Sequence, residues 1–153
     1  MPQRITVLGS TGSIGTNTLD VIARHPDRFE VFALTGATQV DLMLRQCAQF
    51  KPRFAVMVQP DAAKQLQDRV RAEGLNVQVL SGAAALDEVS AHAEVNAVMA
   101  AIVGAAGIEA TLAAIRQGKT VALANKESLV TAGPLLMAEA ARHGARWQQS
   151  DRG

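Results

Sequence analysis

One pattern restricts the fold of this chain more than any other. Short apolar runs rich in β-branched residues alternate with segments of helical periodicity along its whole length. Arg4–Leu8 (RITVL) reads as a buried strand that stops at Gly9. Thr16–Arg24 sets Leu19, Ile22 and Ala23 at helical spacing, and His25-Pro26 ends that helix. Glu30–Leu34 is the next strand, followed by a helix over Val40–Phe50 that closes near Pro52. Further strands are expected at Ala55–Val58, Val77–Leu80, Ala97–Val103 and Thr120–Ala124. Between and after them, helices are expected from an Asp61 cap to Ala72, at Ala83–Ser90, at Ile108–Gln117 and at Glu127–Arg142, with Gly74, Gly118 and Gly144 as stops. Strands alternating with helices imply parallel βαβ units. A continuous apolar strand such as VMAAIV implies a sheet covered on both faces. With right-handed crossovers, the expected class is α/β: a doubly wound, mostly parallel sheet of Rossmann type.

Composition supports this class and removes others. The 153 residues are 48% hydrophobic and 19% charged, enough to build a core. Only 3% are aromatic, so Ala, Val, Leu and Ile must fill it, which suits close helix-on-sheet packing. A net charge of +1 gives no bulk attraction to nucleic acid or to a membrane surface. The longest apolar stretch, around Ala97–Ala106, is broken by Gly104 and reaches about half the length of a membrane span. The start, Met1–Leu8, runs directly into a strand, with no signal-peptide pattern. The single cysteine, Cys47, excludes an internal disulfide and fits a reducing compartment, so the cytoplasm is the expected location.

The first strand joins the first helix through Gly9-Ser10-Thr11-Gly12-Ser13-Ile14-Gly15. Dinucleotide binding asks three things of such a turn. Gly9 lets the chain reverse tightly, Gly12 leaves the backbone open to a pyrophosphate, and Gly15 lets helix and strand approach. Amides at the helix start, aided by the helix dipole, then hold the anion, and Thr11 and Ser13 can add hydroxyl donors. The spacing is GxxGxxG, without the Gly-Lys-Ser/Thr ending of a P-loop. The alternative is a turn that is glycine-rich only for packing. After the second strand, Leu34-Thr35-Gly36-Ala37-Thr38-Gln39 holds no carboxylate for a ribose 2′-hydroxyl, which favours NADP over NAD, although no arginine stands there for a 2′-phosphate. Asp41 is expected to cap or face solvent on the following helix.

A second cluster lies at later strand ends: Gly104-Ala105-Ala106-Gly107, then Ala124-Asn125-Lys126-Glu127-Ser128. Lys126 supplies a cation for a phosphate or carbonyl, and Asn125 can bond a ribose or amide. An equally open reading makes Asn125 an N-cap and Glu127 a first-turn residue of a helix. Taken together, GSTGSIG followed by TLDVI, VMAAIVGAAG, TLAAI-x-x-GKT and LANKESLVT closely resemble 1-deoxy-D-xylulose 5-phosphate reductoisomerases, over about residues 4–146. The resemblance implies an enzyme of the non-mevalonate isoprenoid pathway, bacterial or plastid in type. Such an enzyme rearranges 1-deoxy-D-xylulose 5-phosphate with a divalent Mg or Mn ion and reduces the intermediate aldehyde with NADPH to 2-C-methyl-D-erythritol 4-phosphate. It also implies a homodimer. By that match Thr11, Gly12, Ser13 and Ile14 contact the cofactor, Asn125 and Glu127 border it, and Lys126 reaches the sugar-phosphate substrate. Gln39 stands where the family carries a polar residue near the 2′-phosphate, while the lysine of the family's Gly-Lys-Asn run is replaced in Ala37-Thr38-Gln39.

The resemblance places an NADPH-binding Rossmann-type domain over residues 1–146 and a divergent tail over 147–153. The family's run of metal-binding acids corresponds to Trp147–Gly153, where Asp151 matches the first ligand but Arg152 and Gly153 follow. The expectation is a truncated or frame-altered piece without its catalytic domain, with no catalytic residue and no metal site of its own, which binds NADPH but does not turn over. Two other readings stand beside it. One is a stand-alone dinucleotide-sensing regulatory module without catalysis. The other is a different NADP oxidoreductase such as a semialdehyde dehydrogenase, which would need a nucleophilic cysteine at a strand end. Cys47 is instead expected to be an inert, partly buried helical thiol. His25, His92 and His143 are expected at surface or cap positions, and Met99 and Met137 as packing residues. Trp147 is expected to cover apolar surface.

Overall fold

The computed structural model describes residues 2–101, 105–123 and 147–149. Among the described residues seven strands form one sheet: β1 Gln3–Leu8, β2 Phe29–Gly36, β3 Phe54–Met57, β4 Gln78–Ser81, β5 Ala97–Ala100, β6 Thr120–Leu123 and β7 Trp147–Gln149. Their order is β4-β3-β2-β1-β5-β6-β7, and every pairing between neighbours is parallel. The chain builds outward from β1 to β4, then crosses back to lay β5 on the other side of β1. The expected doubly wound sheet is therefore present, with its switch point between β1 and β5. Its last strand, Trp147–Gln149, pairs with Val121–Leu123 and so extends the sheet past residue 146.

Five helices connect the described strands: α1 Ser13–Arg24, α2 Val40–Phe50, α3 Pro60–Ala72, α4 Ala83–Ala91 and α5 Ala105–Arg116. On one face Leu19 and Ile22 of α1, Met43, Leu44 and Cys47 of α2, and Leu66 and Val70 of α3 cover Val7, Leu34 and Met57. On the other, Leu86 and Val89 of α4 and Ala114 and Ile115 of α5 cover Leu8, Val56, Val98 and Val121. Small side chains let the helices sit close to the sheet, as the scarcity of aromatics requires. Each fully buried Leu or Ile contributes about 1.5–3 kcal/mol relative to exposure.

Element ends differ from the sequence pattern in explicable ways. Helix α1 starts at Ser13 rather than Thr16, because the glycine turn itself supplies the N-cap, Gly12. Helix α3 is capped by Gln59, not Asp61. Proline at the first helical position has the right φ and no amide to satisfy, which moves the start to Pro60 and puts Asp61 in the first turn. Helix α5 begins at Ala105 rather than Ile108. Cys47 is completely rather than partly buried, because it falls on the stripe of α2 that faces the sheet, and that burial pushes its thiol up to about 12, away from the thiolate that a nucleophile needs. His25 caps the C-terminus of α1, and His92 that of α4. Met99 packs half-buried against the α1–α3 side of the core. His143 and Met137 lie outside the described residues, as does the side chain of Trp147. Among the described residues no helix is long and apolar enough to cross a membrane.

Candidate functional site

The three glycines between β1 and α1 separate by what the fold demands of each. Gly9 sits at φ 81°, in the left-handed region that favours glycine, and there the chain leaves the strand. At Gly15 a Cβ would lie 2.0 Å from the Gly9 carbonyl oxygen and 2.7 Å from the Ser10 Cα, so no larger residue fits. At Gly12 a Cβ would meet nothing nearer than the Gly9 oxygen at 3.8 Å. The fold itself does not require glycine there. The space above Gly12 is open to a group from outside.

That space faces the N-terminus of α1. The first-turn amides of a helix have no acceptor within the helix, Gly12 offers no side chain to cap them, and the first turn holds no acidic residue. Amides and helix dipole together make this end attractive to an anion. Gly12 and Ser13 are exposed, while Thr11 and Ile14 are half-buried. Thr11 lies over the carboxyl end of β2: a Cβ on Gly36 would come 3.1 Å from its Oγ1.

A buried polar network fixes the turn from beneath. The Gly9 amide donates to Thr35 Oγ1 (2.8 Å) and the Ser10 amide to the Thr35 carbonyl oxygen (2.8 Å). The Ser10 hydroxyl donates to Gln46 Oε1 at 2.8 Å, with the Thr35 carbonyl 3.1 Å away, and Gln46 Nε2 donates to the Ser10 carbonyl at 2.9 Å. Ser10, Thr35 and Gln46 are all buried. Such groups are costly unless bonded, and here each finds a partner only if the turn keeps this shape. Sequence reasoning passes over all three. The available signal is a polar Gln46 on the buried stripe of α2, between Met43 and Cys47.

Beyond β2, Ala37, Thr38 and Gln39 are exposed, and Gln39 is the N-cap of α2 without a side-chain capping bond. Asp41 does face solvent in the first turn of α2, where it is paired with Arg69 of α3. The Arg69 guanidinium holds its carboxyl below the usual range, and Arg45 acts in the same direction. Thr11, Gly12, Ser13 and Ile14 thus lie together at the carboxyl end of β1, with Gln39 past the neighbouring strand. Asn125, Lys126 and Glu127 follow β6 in sequence and lie outside the described residues, as do Gly104 and Asp151. Among the described residues no group of three or more His, Cys, Asp or Glu is placed to hold a metal.

The family model for 1-deoxy-D-xylulose 5-phosphate reductoisomerase matches residues 5–133. The chain is 59% identical over 144 residues to the 1-deoxy-D-xylulose 5-phosphate reductoisomerase of Laribacter hongkongensis, covering 94% of this chain and 37% of that protein. It superposes with a TM-score of 0.91 at 44% identity on the reductoisomerase of Zymomonas mobilis in complex with NADPH, covering 99% of this chain and 39% of that one. A reductoisomerase in complex with NADPH, fosmidomycin and magnesium gives a TM-score of 0.90 at 45% identity, covering 96% and 36%. The chain thus spans little more than a third of the length of these relatives. Over that span the family match is continuous, and the chain belongs to the 1-deoxy-D-xylulose 5-phosphate reductoisomerase family.

Proposed function

We propose that the chain forms the NADPH-binding part of a reductoisomerase that converts 1-deoxy-D-xylulose 5-phosphate to 2-C-methyl-D-erythritol 4-phosphate in non-mevalonate isoprenoid synthesis. The observation that carries this reading is the open space at Gly12, above an uncapped helix N-terminus held rigid by Ser10, Thr35 and Gln46. A pyrophosphate fits there because it brings the acceptors that the α1 amides lack. Thr11, Gly12, Ser13 and Ile14 hold it. Gln39 stands beside the adenosine ribose, Asn125 and Glu127 border the cofactor, and Lys126 reaches the substrate. NADPH, when bound, supplies the hydride for the reduction. The chain's own contribution is to orient that cofactor against the carboxyl ends of the strands. The same reading places the whole enzyme in the cytoplasm as a homodimer.

A divalent ion needs several oxygen ligands. Asp151, beside Arg152, is one carboxylate and does not make such a set. The 153 residues assayed by themselves are therefore expected to bind NADPH without metal-dependent turnover. Calorimetric titration tests the reading: NADPH binds the wild-type chain, and Gly12→Asp, which puts a carboxylate into the anion site, weakens it at least tenfold, about 1.4 kcal/mol. A chain that folds by circular dichroism but takes up no NADPH overturns the cofactor reading. Turnover by the isolated chain overturns the inactive one.

A further inference from the structure

The run Ala37-Thr38-Gln39 carries no cation, yet two arginines reach the same place from elsewhere. Thr38, Gln39, Asp41, Arg45, Gln65 and Arg69 line a cavity of about 410 Å³ beside the loop that follows β2. Arg45 comes from the second turn of α2 and Arg69 from the last turn of α3. In an open α/β sheet this loop is where the adenosine ribose of a dinucleotide presents its 2′ position. The pyrophosphate turn fixes the direction, since Thr11 lies against Gly36 at the end of the same strand.

We propose that Arg45 and Arg69 form the 2′-phosphate subsite of this chain and set its preference for NADPH over NADH. The inference rests on the reading that the glycine turn binds the dinucleotide. Two guanidinium groups face one carboxylate, Asp41, so the cavity keeps an excess of positive charge. Arg69 is held by Asp41 across the α2–α3 seam. A guanidinium has five N–H donors, so one edge can remain on Asp41 while the other turns to a phosphate oxygen. Arg45 lies close enough to lower the Asp41 carboxyl and has no carboxylate of its own among the ion pairs of the described residues. It is the freer donor. Thr38 adds a hydroxyl at the cavity wall. A phosphomonoester dianion completes this arrangement, whereas the 2′-hydroxyl of NADH offers no charge to either arginine.

The test is calorimetric titration of NADPH and NADH into the 153-residue chain and its Arg45→Ala, Arg69→Ala and Arg45→Ala/Arg69→Ala variants, with circular dichroism on each sample. The expected result is a loss of NADPH affinity of about tenfold for each single variant and more for the double, with NADH affinity unchanged. Arg69→Ala also unpairs Asp41, so Arg45→Ala, which leaves that pair intact, is the cleaner arm. Preferential NADPH binding that survives in all variants overturns the inference while leaving the cofactor reading intact. An equal loss for both dinucleotides overturns it too, and assigns the arginines to the α2–α3 seam. A wild-type chain that binds neither dinucleotide overturns the cofactor reading and this inference with it.

Discussion

The carboxyl end of β1 and the region near the amino ends of β3 and β5 are both built of polar groups set against a core, but by different means. At the carboxyl end, Ser10, Thr35 and Gln46 are buried and bonded to one another and to the turn backbone. Near the amino ends, Phe32 and Phe54 pack with the His92 ring at 4.8 and 5.8 Å. Arg53 lies over both phenylalanines and pairs with Glu94 in solvent. The first arrangement is directional and tolerates one backbone shape. The second relies on contact area and on an exposed ion pair, which many side-chain arrangements can satisfy. A ligand site needs the former, because amides must be aimed at an anion before it arrives. A sheet end that only closes the core can use the latter.

Three substitutions break or sharpen this contrast. The largest effect on stability is expected from Phe32→Ala, which empties a buried aromatic site and costs about 3–5 kcal/mol by chemical denaturation. NADPH affinity, measured where the variant remains folded, should be unchanged. Gln46→Ala comes next. It removes both partners of Ser10 on α2, costs about 1–3 kcal/mol, and, unlike Phe32→Ala, should weaken NADPH binding by loosening the turn. If Gln46→Ala lost stability with full affinity, the network would be structural only and the contrast would fail. The smallest effect is expected from Arg53→Met. Both partners of its ion pair are about half exposed, so the cost should stay below about 1 kcal/mol with no change in cofactor affinity.

The sequence pattern made the architecture legible because its signals are local: β-branched runs, helical spacing and glycine stops. The roles of Gly9 and Gly15 were legible for the same reason, since a strand, a turn and a helix follow one another directly. Gln46 and Arg69 were not. Gln46 meets Ser10 only because α2 packs beside the turn, and Arg69 meets Asp41 only because α3 packs beside α2. Such pairings arise from helix packing on a sheet, which periodicity does not encode. The helix starts at Ser13 and Pro60 depart from the side-chain pattern on a smaller scale, because the first turn of a helix is defined by backbone conformation more than by side-chain pattern.

The strand order also bears on how such a chain assembles during synthesis. Strand β1 is made first, and β2 follows to pair with one of its edges. The other edge waits for β5, which pairs Ile5 with Ala97 and Leu8 with Ala100. At ribosomal rates of about 5–20 residues per second, several seconds separate the appearance of these two partners. Through that interval one edge of β1 has no strand to bond, although Val7 and Leu8 are completely buried once the fold is made. An unpaired apolar edge is a template for the wrong partner. The strand that presents the glycine turn is therefore also open to mispairing on a crowded polysome, and a chaperone that shields nascent apolar strands would protect it there.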